Sequence, residues 1–330
     1  MIVAARNEEK YIGRCLQSLV TQEYPAGLFE IIIINDRSTD KTAAIVENYC
    51  ARYASVTLVN VTSVTSDLPP KKNALNEGIR KSKNDILVFT DADCVPPPTW
   101  LGAIAREFTF DVGAVAGYSP IQQRFPSQFI ARWGDFFLRY LEIKKSVGAA
   151  AGIGLGRAFM CTGRNLAYRK SVFHEVRGYE QIRHSISGDD DLFIQLVQDE
   201  TQWKIRYMLV PESYVPTNAP ASVGAFINQH KRHFSAGKFY PMRMKIIFAL
   251  MHSFSALAFL SIFVSPAAGV LLLSGKLFVD GWIFYRGTAL FGESRLRRSL
   301  LPLECASVVY NSFIGPLGVL GTFTWKGRRS

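Results

Sequence analysis

The segment 86–93, Ile-Leu-Val-Phe-Thr-Asp-Ala-Asp, joins an apolar run to two carboxylates that lie one residue apart. The β-branched, apolar run predicts a buried strand, and the carboxylates follow where that strand leaves the sheet. In open α/β sheets, ligands bind outside the carboxyl ends of the strands. Asp91 and Asp93 offer hard oxygen ligands, which suit Mg²⁺ or Mn²⁺ holding a phosphate. The alternative is a turn or a helix cap, because aspartate is common after strands.

Outward from this segment, strand-like and helix-like stretches alternate through the first 120 residues. The predicted strands are Ile2–Ala5, Phe29–Asn35, Val56–Val61 and Ile86–Thr90, and the predicted helices are Glu8–Thr21, a segment around Ala43–Val46, and Lys72–Ser82. Such alternation predicts an α/β fold in which helices cover both faces of a largely parallel sheet.

The composition limits the classes of partner that the chain is expected to bind. The chain has 330 residues, of which 48% are hydrophobic, and a net charge of +11. A basic chain can bind nucleic acid, anionic lipid or a phosphorylated substrate. Since no run of five basic residues occurs, we expect no nucleic-acid partner. The five cysteines are scattered and form no Cys-x-x-Cys pair, which argues against a disulfide framework or a zinc site.

The apolar residues concentrate near the C-terminus. Ile246–Val264 contains no Asp, Glu, Lys or Arg and is long enough to cross a bilayer. Pro266–Phe284 carries Lys276 and Asp280, which are tolerable there if they pair one helical turn apart. Leu300–Trp325 carries only one charge, Glu304. These stretches predict a membrane region over 246–330 with two or three spans, and the basic residues around them favour a cytosolic catalytic domain.

Two further segments combine aromatic and basic residues at helical spacing. The segment 126–150 predicts either a helix lying in the membrane surface or an amphipathic helix facing a core. The segment 222–245 has the same character and predicts an interfacial helix. Within it, Gln229, Arg232 and His233 share one helical face.

Three short polar motifs follow the first strands. Ala5-Arg6-Asn7-Glu8-Glu9 comes after strand one, and its alternative is an ordinary acidic helix start. Asp36 comes after strand two and could accept hydrogen bonds from a ribose or a base, while Ser38, Thr39 or Asp40 caps the next helix. The pair Lys71-Lys72 at a helix start could reach a diphosphate, or could be solvated surface lysine.

The segment 187–192, Ser-Gly-Asp-Asp-Asp-Leu, places three carboxylates side by side. Because adjacent carboxylates repel one another, such clusters mark metal sites or a general base. The alternative is an acidic first turn of a helix, which the macrodipole favours.

The order of these motifs resembles the family-2 glycosyltransferases, which are inverting enzymes of the GT-A fold. The resemblance is strongest to the membrane-integrated branch that includes cellulose, hyaluronan and ceramide-glucosyl transferases. The matching motifs are Asn7-Glu8, the Asp36-to-Asp40 run, Lys72 ahead of Ala74-Leu75-Asn76, Asp91-Ala92-Asp93, the Gly163-to-Asn165 segment, the acidic cluster before Leu192, and Gln229-x-x-Arg232-His233. His233 stands where the family usually has tryptophan, and this departure weakens any inference of processive polymer synthesis.

The resemblance implies transfer of a sugar from a nucleotide-diphosphate sugar, with Mg²⁺ or Mn²⁺ as cofactor. It implies that Asp93 holds the metal together with Asp91, which also faces the ribose. The nucleoside would be held by Ala5, Asn7, Glu8 and Asp36, and the phosphates by Lys72 and Arg232. The acceptor and diphosphate region would further include Arg164, Asn165, Gln229 and His233.

The general base implied by the resemblance is Asp189 or Asp190. Spacing back from Leu192 selects Asp189, whereas spacing forward from Gly188 selects Asp190. Asp189 is favoured narrowly.

The expected protein is therefore a multi-pass enzyme of the plasma (inner) membrane. We expect a GT-A domain over 1–221, and a lipid, lipid-linked or glycan acceptor. The alternative function is a non-catalytic membrane sensor that binds a nucleotide sugar.

Overall fold

The computed structural model describes residues 1–62, 67–122, 129–320, 324–325 and 328–329, with side chains described in these ranges except at 129–132 and beyond 313. The chain divides into two compact units. The first contains 1–122 and 148–218, and the second contains 123–147 and 219–330. The predicted domain boundary at 221 falls close to this division, but residues 123–147 group with the C-terminal part.

A seven-stranded mixed sheet forms the centre of the first unit, in the order β3-β2-β1-β4-β7-β5-β8. Strand β7 runs antiparallel to β4 and β5, whereas the other neighbouring pairs are parallel. A separate pair, β6 and β9, is parallel. The strands are β1 Ile2–Ala5, β2 Ile31–Asn35, β3 Val56–Asn60, β4 Ile86–Phe89, β5 Val112–Gly117, β6 Ile121–Gln122, β7 Leu166–Arg169, β8 Lys204–Met208 and β9 Thr217–Asn218.

Helices cover this sheet because their apolar residues recur on one face. In α1, the residues Ile12, Cys15, Leu16 and Leu19 are fully buried, which is the i, i+3, i+4, i+7 pattern of an amphipathic helix. The helices of this unit are α1 Ile12–Val20, α2 Thr42–Arg52, α3 Pro70–Lys81, α4 Trp100–Glu107, α6 Lys170–Glu175 and α7 Asp191–Glu200, together with the end of α5 Phe129–Gly154.

The predicted α/β fold is confirmed, and it explains where a site can lie. The four predicted strands coincide with β1 to β4 to within two residues at each end. Strands β1, β2 and β4 run parallel, so their carboxyl ends face the same edge of the sheet; Ala5 at the end of β1 is paired with Asn35, whereas Phe89 at the end of β4 is paired with Ile2. The polar motifs that follow these strands therefore meet at one edge.

The second unit consists mainly of long helices. They are α8 Val223–Ala236, α9 Met242–Val264, α10 Pro266–Leu290 and α11 Leu300–Leu320, with part of α5 and the short antiparallel strands β10 Thr324–Trp325 and β11 Arg328–Arg329. Within the described residues, two helices, α9 and α10, are long and apolar enough to cross a membrane. Only 11% and 22% of their most apolar stretches are buried in the protein, so neither is the buried core helix of a soluble domain.

Helix α5 packs by its apolar face against the other helices of the second unit. Tyr140 and Ile143 are fully buried, and the Tyr140 ring centroid lies 4.9 Å from that of Phe284. At Gly287 of α10 an added Cβ would lie 2.5 Å from the Val147 side chain, so only glycine permits this close approach. Of the two predictions for 126–150, the structure has the core-facing helix from 133 to 147; residues 126–128 lie outside the described residues.

A buried charge cluster joins α5, α10 and α11. It consists of Lys144, Lys276, Asp280 and Glu304. Lys144 Nζ lies 2.8 Å from Asp280 Oδ2 and 3.5 Å from Glu304 Oε1, and Tyr140 donates its hydroxyl hydrogen to Glu304. Lys276 pairs with Asp280 one turn away, as predicted. Two ammonium groups thus balance two carboxylates in an environment where an unbalanced charge is costly.

Lys144→Met is expected to lower the free energy of unfolding by about 3–5 kcal/mol, because it leaves the buried Glu304 and the half-buried Asp280 facing one ammonium. Denaturant unfolding of the detergent-solubilised protein measures this loss. The matched control is Lys238→Met, which removes an exposed lysine of the same unit and should change the stability by less than about 0.5 kcal/mol. Equal stability of the two variants would contradict the charge-balance argument.

Candidate active site

The loops after β1 and β2 are bonded to each other. Asn7 has a positive φ of 55°. Its main-chain N–H donates to Ser38 Oγ at 3.1 Å, and its side-chain Oδ1 accepts from the main-chain N–H of Thr39 at 2.8 Å. The Glu8 N–H donates to Thr42 Oγ1 at 2.8 Å. These contacts fix the predicted Asn7-Glu8 loop beside the β2 loop. Of the three predicted caps of α2, Asp40 bonds the Thr42 N–H, at 3.0 Å.

Asp36 lies at the end of β2 and is only 4% exposed. Its carboxylate lies 2.6 Å from the Arg37 guanidinium and 3.7 Å from that of Arg6. Its N–H donates to the Ala5 carbonyl at 2.9 Å, which brings these two predicted residues together. The two arginines that neutralise Asp36 are absent from the sequence-based set of site residues.

Asp91 and Asp93 follow β4 as predicted. The Asp91 side chain is 36% exposed, and its Oδ1 lies 3.2 Å from Lys71 Nζ. Burial raises the pKa of Asp93 above its usual value, and the neighbouring Asp91 charge raises it further, while Arg164 opposes this rise. Negative charge is therefore concentrated at this pair.

This carboxylate pair fits a divalent cation that also binds a phosphate. Among the described residues, no group of three or more His, Cys, Asp or Glu side chains is arranged to hold a metal. Mg²⁺ is typically bound through one or two carboxylates plus substrate phosphates and water, and needs no cage made of protein alone. Two carboxylates one residue apart, Asp91 and Asp93, suit a cation held in this way.

The three carboxylates of the acidic cluster have different surroundings. Asp190 accepts from the N–H groups of Asp191 and Gly163, each at 2.8 Å, and so caps α7. Asp191 Oδ1 accepts from the Cys161 N–H at 3.0 Å. Asp189 Oδ2 instead lies 2.9 Å from Lys71 Nζ. Of the three, Asp189 is the carboxylate directed at the cation that also meets Asp91.

A cleft at the carboxyl ends of β1 and β4 contains this arrangement. Its lining includes the charged side chains of Lys71, Asp91 and Asp189, together with apolar and aromatic residues, which are Leu75, Phe89, Leu166, Tyr168 and Tyr179. One ammonium group, that of Lys71, thus bridges Asp91 of the carboxylate pair and Asp189 of the acidic cluster.

Lys71 lines the cleft, whereas Lys72, the lysine that was predicted to hold the phosphates, does not. Lys72 is fully buried, and its ammonium donates to the carbonyls of Ile182, Ser185 and Ser187, away from the cleft. Successive residues of a helix point about 100° apart, so two adjacent lysines cannot share one face. The sequence offers no signal that tells the two lysines apart.

Asn165 also differs from its predicted role at the acceptor. It is fully buried: its Oδ1 accepts from Trp100 Nε1 at 2.9 Å, and its Nδ2 donates to the carbonyls of Tyr118 and Ser213. Both donors and an acceptor of the amide are thus engaged within the core, so Asn165 is a structural cross-link and not an acceptor contact. The Nε–H of its neighbour Arg164 donates a hydrogen bond to Thr162 Oγ1 at 3.1 Å. The positive charge of Arg164 also lowers the pKa of Asp93.

The remaining predicted residues, Gln229, Arg232 and His233, lie on α8 of the second unit. The Arg232 guanidinium lies 3.1 Å from His233 Nε2, and His233 is exposed. Their predicted contact with the acceptor or the diphosphate stays a prediction.

The profile of "Glycosyl transferase family 2" matches residues 1–177, which contain β1 to β7 and the Asp91-x-Asp93 motif. The chain belongs to this family. The resemblance found from its motifs is thereby confirmed.

Two relatives show how this family-2 chain compares with known proteins. It is 34% identical over 217 residues to the "Beta-monoglucosyldiacylglycerol synthase" of Synechocystis, covering 64% of this chain and 42% of the relative. It is also 34% identical over 93 residues to the "4,4'-diaponeurosporenoate glycosyltransferase" of Staphylococcus aureus, covering 28% of this chain and 23% of the relative. The chain thus spans less than half the length of both relatives.

A solved structure shows the same fold. The mannosyltransferase PcManGT from Pyrobaculum calidifontis, in complex with GDP-Man and Mn²⁺, superposes with a TM-score of 0.51 at 18% identity. The match covers 94% of this chain and 86% of that protein. The predicted GT-A architecture is therefore confirmed for this family-2 chain.

Proposed function

We propose that this chain transfers a sugar from a nucleotide-diphosphate sugar to a lipid or lipid-linked acceptor, with inversion at the anomeric carbon. The observation that carries the proposal is the position of Lys71, whose ammonium lies 3.2 Å from Asp91 and 2.9 Å from Asp189. A donor-binding carboxylate and a base are thereby held at one cleft. Membership of glycosyltransferase family 2 supports the same reaction.

The donor would be bound at the edge formed by β1, β2 and β4. Asp93 and Asp91 would hold Mg²⁺ or Mn²⁺, which supplies positive charge to the leaving nucleoside diphosphate. Lys71 would bind the phosphates in place of Lys72, since it is the lysine that lines the cleft. Asp36 and the Asn7-Glu8 loop would face the nucleoside.

The acceptor hydroxyl would be deprotonated by Asp189. Asp190 is a poorer candidate, because both of its carboxylate oxygens accept hydrogen bonds from backbone N–H groups. As the hydroxyl oxygen attacks the anomeric carbon from the face opposite the diphosphate, Asp189 would accept its proton. A single displacement of this kind inverts the anomeric configuration.

The helices of the second unit support a membrane location. Helix α9 exposes large apolar side chains along its length, such as Leu250, Leu257 and Phe263, at 64%, 62% and 73% exposure. Basic residues lie in the first turn of α9, where Arg243 is found, and after α10, where Arg295 and Arg298 are found. By the positive-inside rule, this end of the helix pair would face the cytosol, which gives a multi-pass protein of the plasma membrane with a cytosolic catalytic unit.

A lipid acceptor suits this location, because a bilayer would present the acceptor hydroxyl next to the membrane helices. One relative is named as a synthase of a glucosylated diacylglycerol, which supports this class of acceptor. A polysaccharide is the alternative acceptor, and it would give a labelled product that stays in the aqueous phase, whereas a glycolipid is extracted into organic solvent.

Membrane fractionation followed by a donor screen tests the proposal. We expect the protein to sediment with membranes, to resist extraction by high salt and to need detergent. With Mn²⁺ or Mg²⁺ and a lipid extract, it should release nucleoside diphosphate from one nucleotide sugar and form a labelled, organic-soluble product. Donor binding without any turnover across all donors and acceptors would favour the sensor function instead.

A further inference from the structure

Lys72 is a fully buried cation whose ammonium is enclosed by main-chain carbonyls. Its Nζ donates to the carbonyl oxygens of Ile182 and Ser187 at 2.9 Å each, and to that of Ser185. An ammonium group has three donors, so these carbonyls use all of them. The acceptors all belong to the segment 182–187, which we call the base loop because it leads directly to Asp189.

The base loop has an irregular main chain over residues 183–187. It follows a single 3-10 turn and forms no strand, and its main chain turns into α7 through Gly188, which has a positive φ of 80°. At Gly188 an added Cβ would lie 2.7 Å from the Leu192 side chain, so a larger residue at this turn would have to displace Leu192. The Ser187 carbonyl that Lys72 holds lies just before this turn. Its position therefore sets where Asp189 emerges.

Burying an ammonium group is costly unless its donors are satisfied. Burial lowers the pKa of Lys72 to about 8, while the charges of Asp189 and Asp190 act in the opposite direction. An apolar side chain of similar length would fill the same space without this cost. Unlike an apolar side chain, Lys72 makes hydrogen bonds to the carbonyl oxygens of the base loop.

Adjacent lysines of α3 thus act on the same carboxylate by different routes. Lys71 meets the Asp189 side chain in the cleft, whereas Lys72 holds the main chain that leads to it. We propose that Lys72 is a positioning residue that fixes the base loop, so that Asp189 is aligned with the acceptor hydroxyl. This proposal rests on the proposed function for its kinetic consequence, but not for the order of the loop.

The test compares Lys72→Met, which removes every donor, with Lys72→Gln, which keeps two. In Lys72→Met, kcat for sugar transfer should fall about 100-fold, because a misplacement of about 1 Å costs about that much. In Lys72→Gln, kcat for sugar transfer should fall by a smaller factor. The affinity for nucleoside diphosphate with Mn²⁺, measured by calorimetry, should stay the same, and amide hydrogen exchange should accelerate over 182–188. The control is Lys81→Met, which removes an exposed lysine from the same helix.

Three results would overturn the proposal. Unchanged exchange over 182–188 in Lys72→Met would show that the lysine does not hold the loop. A parallel loss of donor affinity and kcat would indicate a general structural role, as would failure of both variants to fold. If the parent protein transfers no sugar at all, the proposed function fails, and the exchange comparison alone then decides whether Lys72 holds the loop.

Discussion

Asp189→Asn is expected to abolish sugar transfer while leaving donor binding intact. An asparagine keeps the size of the side chain but cannot accept the proton of the acceptor hydroxyl. General-base catalysis contributes about 10²–10⁴-fold, so kcat should fall by a factor in that range. The acceptor-dependent formation of labelled product measures kcat, and calorimetry with nucleoside diphosphate and Mn²⁺ measures donor binding.

Asp190→Asn is the matched comparison, because it makes the same change one residue away. Here an amide replaces a carboxylate that accepts from the N–H groups of Gly163 and Asp191, so we expect a stability loss of about 1–3 kcal/mol. Transfer by the folded protein should stay close to that of the parent. If instead Asp189→Asn transfers sugar normally and Asp190→Asn does not, the base is Asp190.

Asp93→Ala is expected to remove both activity and metal-dependent donor binding. The variant loses a carboxylate from the Asp91–Asp93 pair, and with it the concentration of negative charge that suits a divalent cation. Since such a cation stabilises developing charge by several kcal/mol, the rate should fall at least about 10³-fold. Titration of nucleoside diphosphate with and without Mn²⁺ should show that the enhancement by Mn²⁺ is lost.

The control for this variant is Asp111→Ala, which removes a half-buried carboxylate paired with Lys204 outside the site. It should bind and turn over donor like the parent. A nucleoside diphosphate affinity that depends on Mn²⁺ as strongly in Asp93→Ala as in the parent would exclude Asp93 as a metal ligand.

The sequence predicted the elements of the first unit well because their patterns are local. Ile31–Ile34 is a fully apolar, β-branched run, which is typical of a strand that is buried on both faces. In contrast, the antiparallel course of β7 depends on which strands it meets in space, and no local pattern encodes it. Helix α5 was ambiguous for the same reason, since an aromatic and basic pattern fits both a bilayer surface and a protein core.

The same distinction between local patterns and tertiary contacts applies to the candidate site. Asp36, Asp91 and Asp93 were located from sequence because they directly follow strands whose ends meet at one edge. The use of each side chain was harder to infer: Asn165 proved to be a buried cross-link, and Asp190 a helix cap. The partners of Asn165 are all distant in sequence, and Asp190 accepts from the distant Gly163 N–H as well as from its neighbour Asp191.

By itself, the sequence determined the family, the α/β alternation and the concentration of acidic residues at the ends of strands, since each depends on residue type and short spacing. The tertiary structure was needed to show which charged side chains face one another. It placed Lys71 between Asp91 and Asp189, and it turned Lys72 into the protein to hold the base loop. The physical reason is that a helix rotates adjacent residues by about 100°, so the direction of each lysine is set by how α3 packs on the sheet.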